Sequence, residues 1–157
     1  GKNTAFGNST AKGTVSGGAT NKAYATGFSL AEGFAKLTVW VGVPIDLYGQ
    51  YVANQDADAY DTGYLYGITV GRAKNPGTWE CGWNYRELKK DAVVGAFTDS
   101  DSWGGGTDGK GHRLQAKYQI AKNLQGGVTY FIDEKTISDP KKTADYDRLQ
   151  IDVVAKF

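Results

Sequence analysis

The sequence has little of what marks a disulfide framework, a metal cluster or a membrane helix. Cysteine occurs once, at Cys81, which excludes an internal disulfide and any site built from several cysteines. No apolar run approaches the roughly 20 residues that a membrane-spanning helix needs. The net charge is only +1, so no basic surplus favours nucleic acid or an anionic membrane surface. If the protein spans a membrane, it must therefore do so with β-strands.

Methionine is absent, and we therefore expect a mature form, a fragment or a processed chain. Proline is scarce, with 3 residues, whereas glycine (22), tyrosine (10) and tryptophan (4) are abundant. The mean hydropathy of −0.46 agrees with membrane strands that are about half polar.

The carboxy-terminal segment alternates between apolar and polar residues. Because successive side chains of a strand point to opposite faces, this predicts one oily face and one charged face. The oily face would carry Leu149, Ile151, Val153, Ala155 and Phe157, against Arg148, Gln150, Asp152 and Lys156, with Val154 as the exception.

Similar runs of about ten residues recur, the length that a tilted strand needs to cross a bilayer. They cover residues 34–43, 46–54, 62–72, 77–86, 111–120 and 123–133, and one more strand is predicted over residues 22–29. We therefore predict an all-β, antiparallel transmembrane β-barrel of about eight strands over residues 21–157. Residues 1–20 show little alternation, and we interpret them as a weak strand or a disordered segment.

The predicted connections alternate in length. Short turns at residues 44–46, 73–77 and 121–123 alternate with longer polar loops at 54–61, 89–110 and 134–144. Outer-membrane barrels have short periplasmic turns and long external loops, so all short turns would lie in the periplasm if the chain ends there.

Several motifs carry a resemblance to a known family. They are Asp46-Leu-Tyr-Gly-Gln-Tyr-Val-Ala-Asn54, Ala73-Lys-Asn-Pro-Gly-Thr-Trp79, Tyr85-Arg-Glu-Leu88, the run from Asp91 to Asp101, Gly105-Gly-Thr-Asp-Gly-Lys-Gly-His112 and Asp147-Arg-Leu-Gln150. Residues 34–157 resemble the carboxy-terminal portion of the bacterial "putative porin" family of Gram-negative outer-membrane barrels. The resemblance implies an outer-membrane porin for passive diffusion of small hydrophilic solutes or ions, with Phe157 as the signal for the barrel-insertion machinery. It also implies a chain that is a portion of a larger barrel.

The polar face would line the pore. Its predicted residues are Lys36, Gln50, Glu80, Asn84, Arg86, Arg113, Gln115, Lys117, Gln119, Thr129, Arg148, Gln150 and Asp152. Charged and polar wall residues set ion selectivity, and the basic ones here predict a modest anion preference, reduced where Glu80 or Asp152 pairs with a cation. The long loop 89–110 is expected to fold inward and narrow the pore, because residues 91–97 are apolar enough to pack inside.

No residues indicate catalysis, a cofactor or a bound metal, so no enzyme is predicted. His112 falls on the apolar face, and we interpret it as structural. Asp99, Asp101 and Asp108 lack the spacing of a calcium loop. Cys81 and the aromatic side chains are interpreted as lipid contacts and interfacial girdles rather than as a thiol site or a sugar platform.

The predicted partners are outer-membrane lipid, the diffusing solutes, the insertion machinery, and further copies or the remaining part of the barrel; nucleic acid is not among them. Two alternatives stay open. One is a small closed outer-membrane barrel with a structural or adhesive role, since eight strands enclose only a side-chain-filled interior. The other is a soluble ligand-binding β-barrel, which would need no detergent.

Overall fold

The computed structural model describes residues 5–14 and 20–156. Its strands are β1 (Thr10–Thr14), β2 (Thr20–Tyr24), β3 (Leu30–Val41), β4 (Val43–Asn54), β5 (Thr62–Gly71), β6 (Trp79–Leu88), β7 (Gly109–Ala121), β8 (Leu124–Lys135) and β9 (Ala144–Ala155). A single turn of 3₁₀ helix, Gly95–Phe97, lies between β6 and β7. No helix in the described part of the chain is long and apolar enough to cross a membrane.

Strands β3 to β9 form one seven-stranded antiparallel sheet in chain order, and β1 pairs with β2 in a separate two-stranded sheet. The prediction of an all-β, antiparallel fold is confirmed. Within the described residues β3 and β9 are the edge strands and do not pair with each other, so the sheet is open. The predicted closure into a barrel is not observed and stays a prediction, and Phe157 lies outside the described residues.

The predicted strands from residue 34 onward are all present in the main sheet, with one turn misplaced. The strand predicted over residues 22–29 is wrong as a barrel strand, because the chain there forms β2, which ends at Tyr24 and pairs with β1 in the separate sheet. The predicted turn at residues 44–46 is wrong, because those residues belong to β4. The chain instead reverses at Gly42, whose φ of 75° lies in the left-handed region that glycine adopts without strain. Pro44 lies near the start of β4, opposite Trp40 on the edge strand β3, where a missing N–H is tolerated.

The predicted alternation of connection lengths is confirmed except at residues 72–78, a connection that is as long as the loop 55–61. The connections at Gly42, residues 72–78 and residues 122–123 lie at one end of the strands, here called the short-turn end. The loops 55–61, 89–108 and 136–143 lie at the other end, here called the long-loop end. In the last of these, Lys142 Nζ lies 2.7 Å from the Asp139 carboxylate and holds the pKa of that carboxyl below its usual value. The antiparallel pairing therefore separates the short-turn end of the strands from the long-loop end.

One face of the sheet, here called the apolar face, carries a continuous band of exposed and half-buried apolar side chains across the middle of the strands. Across the pairings Leu37–Leu47–Ile68–Trp83–Leu114–Tyr130–Leu149, neighbours on adjacent strands lie directly opposite one another. Ile151 and Val153 on β9 are each 71% exposed, as no core covers them. The opposite face, here called the polar face, carries most of the charged and amide side chains of the strands. The cross-strand row Glu87–Lys110–Glu134 lies instead on the apolar face, where the long loops begin.

Candidate functional site: the polar face and its covering loop

The register brings all the predicted pore-lining residues to the polar face. Lys36 on β3, Gln50 on β4 and Glu80, Asn84 and Arg86 on β6 share this face through the β4 and β5 pairings. Arg113, Gln115, Lys117, Gln119, Thr129, Arg148, Gln150 and Asp152 extend it over β7, β8 and β9. Their shared face is a structural finding, whereas their role as the wall of a pore stays a prediction.

The connection between β6 and β7, residues 89–108, is called the covering loop because it packs on the polar face. Its Ala92 and Trp103 form a small buried cluster with Leu88 of β6. Val52 of β4 and Tyr146 of β9 pack against this cluster, which therefore joins side chains from both halves of the sheet. The loop does lie on the face where the sequence analysis placed the lumen.

The apolar segment of the loop, residues 91–97, is only partly buried. Ala92 is fully buried, but Phe97 is 88% exposed. The 3₁₀ turn that contains Phe97 directs it away from the cluster, so the expectation that residues 91–97 pack inside is wrong for this residue. Phe97 instead borders a groove of about 420 Å³, together with Leu65, Arg86 and Asp99.

Trp103 fixes the returning arm of the covering loop. Its backbone N–H donates to Asp133 Oδ2 at 2.6 Å, and its indole Nε1 donates to the Gly106 carbonyl at 3.1 Å. The Arg86 guanidinium carbon lies 5.0 Å from the centre of the Trp103 ring, a cation–π distance. Arg86 therefore lies beneath the loop, between the sheet and an aromatic ring.

Several of the cations on the polar face are paired with carboxylates. Lys117 Nζ lies 3.1 Å from Glu80 Oε1, the pairing that the sequence analysis considered. Arg148 Nη1 lies 2.9 Å from Asp101 Oδ1 of the covering loop. Asp152 accepts a hydrogen bond from Gln150 Nε2 at 3.2 Å, and it forms no ion pair with any residue that the structure describes.

Asp46 is a charged member of the polar face that the sequence analysis missed. Its carboxylate lies 2.8 Å from Lys36 Nζ and 3.6 Å from Arg72 Nη2, and it accepts a hydrogen bond from Thr38 Oγ1. Asp46 stood where the predicted turn 44–46 meets the predicted strand 46–54, and it was not assigned to a face. Continuing the parity of Gln50 back along β4 would have placed Asp46 on this face.

Arg113 differs from the paired cations. Its guanidinium carbon lies 5.6 Å from the Phe131 ring centre, and its Nε is buried without a hydrogen-bond partner among the described residues. Phe131, which is 1% exposed, is therefore a buried aromatic residue on the polar face.

His112 and Cys81, which were considered for chemistry, lie on the apolar face. His112 Nδ1 accepts a hydrogen bond from Trp83 Nε1 at 3.3 Å, and its ring centre lies 4.9 Å from that of Tyr85. Cys81 is exposed on the same face, paired across strands with Val70 and Ala116. The histidine is therefore part of an aromatic cluster.

Comparison of the sequence with known protein families gives a match. The profile of the protein family described as "Putative porin" matches residues 2–157, which is nearly the whole chain. No curated protein and no solved structure matches the chain.

Proposed function

Because the chain belongs to the "Putative porin" family, we propose that its seven-stranded sheet is part of the wall of an outer-membrane pore. Small hydrophilic solutes or ions would diffuse through it passively. The observation that carries the proposal is the pair of faces: a continuous exposed apolar face on one side and a polar face partly covered by a loop on the other.

The apolar face supports contact with lipid. Leu149 and Ile151 on β9 and Leu37 on β3 are 62%, 71% and 59% exposed, at opposite edges of the same face. Soluble monomers rarely expose apolar patches of such extent, because the water contact costs free energy. A hydrocarbon environment removes that cost, and strands of 10 to 13 residues are long enough to cross it when tilted.

Aromatic side chains at both ends of the apolar face support the same placement. Near the long-loop end, Tyr64 and Tyr85 donate hydrogen bonds from their hydroxyls to Glu87 Oε2, at 2.8 and 3.2 Å. Near the short-turn end, Trp79 lies opposite Tyr118. Rings with a polar tip are suited to the headgroup levels of a bilayer, and barrels carry such girdles at both interfaces.

The open edges favour a larger barrel over a small closed one. In hydrocarbon, unpaired backbone groups of an edge strand are too costly, so β3 and β9 need partners. Direct pairing of β3 with β9 would enclose an interior that side chains alone fill. The covering loop already occupies the polar face, so we propose that further strands of the same pore complete the wall.

The charges on the polar face support a weak ion preference from this part of the wall. Asp46 and Asp101 were not counted in the predicted anion preference, and their ion pairs reduce it. We also propose that the barrel-insertion machinery recognises the carboxy-terminal Phe157 and that outer-membrane lipid surrounds the apolar face.

The test is conductance of the full-length protein in a planar lipid bilayer. A pore gives discrete steps whose size increases with salt concentration. A protein that needs detergent yet gives no steps would favour the closed barrel with a structural or adhesive role. A protein that stays monomeric without detergent would contradict the membrane proposal and favour a soluble ligand-binding barrel.

A further inference from the structure

The segment formed by residues 5–9, here called the amino-terminal hook, contacts the covering loop through Asn8. The Asn8 side chain is 3% exposed. Its Nδ2 donates to the carbonyl oxygens of Lys90 and Val93, both at 2.8 Å, and its Oδ1 accepts from Gly95 N–H at 2.7 Å. Both side-chain N–H groups are therefore used, and they bind the loop where it enters the 3₁₀ turn.

The backbone of the hook binds both arms of the loop. Ser9 N–H donates to Asp91 Oδ1 at 2.8 Å on the departing arm. Thr107 N–H donates to the Phe6 carbonyl at 2.9 Å on the returning arm. The hook therefore connects two parts of the loop that flank the buried Ala92 and Trp103.

Gly95 shows how close this contact is. A Cβ at that position would overlap the Phe6 carbonyl oxygen and lie 2.9 Å from Asn8 Oδ1. The backbone at Gly95 does not adopt a left-handed φ, so its lack of a side chain serves the contact rather than a special turn.

We propose that Asn8 is a positioning residue: it holds the covering loop on the polar face and thereby sets the aperture of the pore, an inference that rests on the proposed function. The apolar cluster beneath the loop is small, so polar contacts contribute much of its anchoring. Without the Asn8 amide, the Val93 carbonyl and Gly95 N–H lose their partner, and water replaces it most readily when the loop lifts.

The loop position can be measured separately from conduction. In the full-length protein with Cys81→Ser, Ala92→Cys places a thiol on the buried underside of the covering loop, at a position that is 0% exposed. Asn8→Ala should raise the labelling rate of this thiol by about tenfold, as expected when a few hydrogen bonds are lost from the docked state. Asn8→Asp keeps the shape and the acceptor but removes both donors, and it should act in the same direction.

The same variants without the reporter thiol should show a larger single-channel conductance than the unsubstituted protein. Gly95→Ala perturbs the contact from the loop side and should reproduce both effects. Asn123→Ala, in an exposed short turn, and Gly33→Ala, where a Cβ meets no atom within 4 Å, are the matched controls and should change neither. Electrophoretic mobility of unheated protein in detergent verifies that each barrel is folded.

Unchanged labelling and conductance in Asn8→Ala and Gly95→Ala would overturn the proposal. Faster labelling with unchanged conductance would also overturn it, since the loop would then not set the aperture. If the unsubstituted protein conducts no ions, the proposed pore fails instead, and the labelling rates alone decide whether Asn8 positions the loop.

Discussion

The Arg148 guanidinium on β9 and the Asp101 carboxylate in the covering loop are 2.9 Å apart. This ion pair links the last strand of the sheet to a loop that begins at the end of β6. Both side chains are more than one-third exposed, so the pair should contribute no more than about 1 kcal/mol to stability. Its larger effect is on the local field, because the loop cancels a positive charge on the polar face.

Removing the Asp101 charge should therefore change selectivity more than stability. Asp101→Asn keeps the side-chain shape and leaves Arg148 uncompensated, so the reversal potential across a salt gradient should move toward anion preference. Asp58→Asn, in an exposed outer loop, is the control and should have a smaller effect. A shift toward cations would contradict the placement of Asp101 beside the conducting path.

Reversing charges on β7 should act in the opposite direction. Within the described part of the chain Arg113 forms no ion pair with a carboxylate and Lys117 pairs with Glu80, so Arg113→Glu with Lys117→Glu should move the reversal potential toward cations. The shift should weaken at high salt, because the Debye length is only about 10 Å at 0.1 M. Lys142→Glu in an outer loop is the control. An unchanged potential would show that other parts of the wall set selectivity.

The two faces of β9 should respond differently to an added charge. Leu149→Arg places a cation on the apolar face in the middle of β9, opposite Tyr130, and should lower the free energy of unfolding by roughly 2–4 kcal/mol. Gln150→Arg, on the polar face beside Asp152, should cost little. Urea-dependent folding into lipid vesicles measures both. Equal costs would refute the assignment of the faces.

The short and long connections should lie on opposite sides of the membrane. In a Cys81→Ser background, Asn123→Cys places a thiol at the short-turn end of the strands. Asp58→Cys and Pro140→Cys place one at the long-loop end. An impermeant thiol reagent applied to intact cells should label positions 58 and 140 but not 123. Labelling of position 123 alone would invert the topology. Gly105 is a poor site for this test, since its φ of 89° would strain a cysteine.

The strands and their faces follow from the sequence because both depend on neighbours along the chain. Alternation in β9 separates Leu149 and Ile151 from Arg148 and Gln150, and each hairpin brings one such strand beside the next. The one misplaced turn, at Pro44 rather than Gly42, depends on a single backbone dihedral angle that residue type favours but does not determine.

The arrangement on the polar face was decided only by the tertiary structure. Asp101 with Arg148, Trp103 with Asp133 and Asn8 with Val93 join residues far apart in the chain. No periodicity encodes such contacts, since they depend on how a long irregular loop folds back and on which polar groups it then buries. Local alternation determines which face is polar, whereas long-range packing determines which of its charges are cancelled and which stay open to a solute.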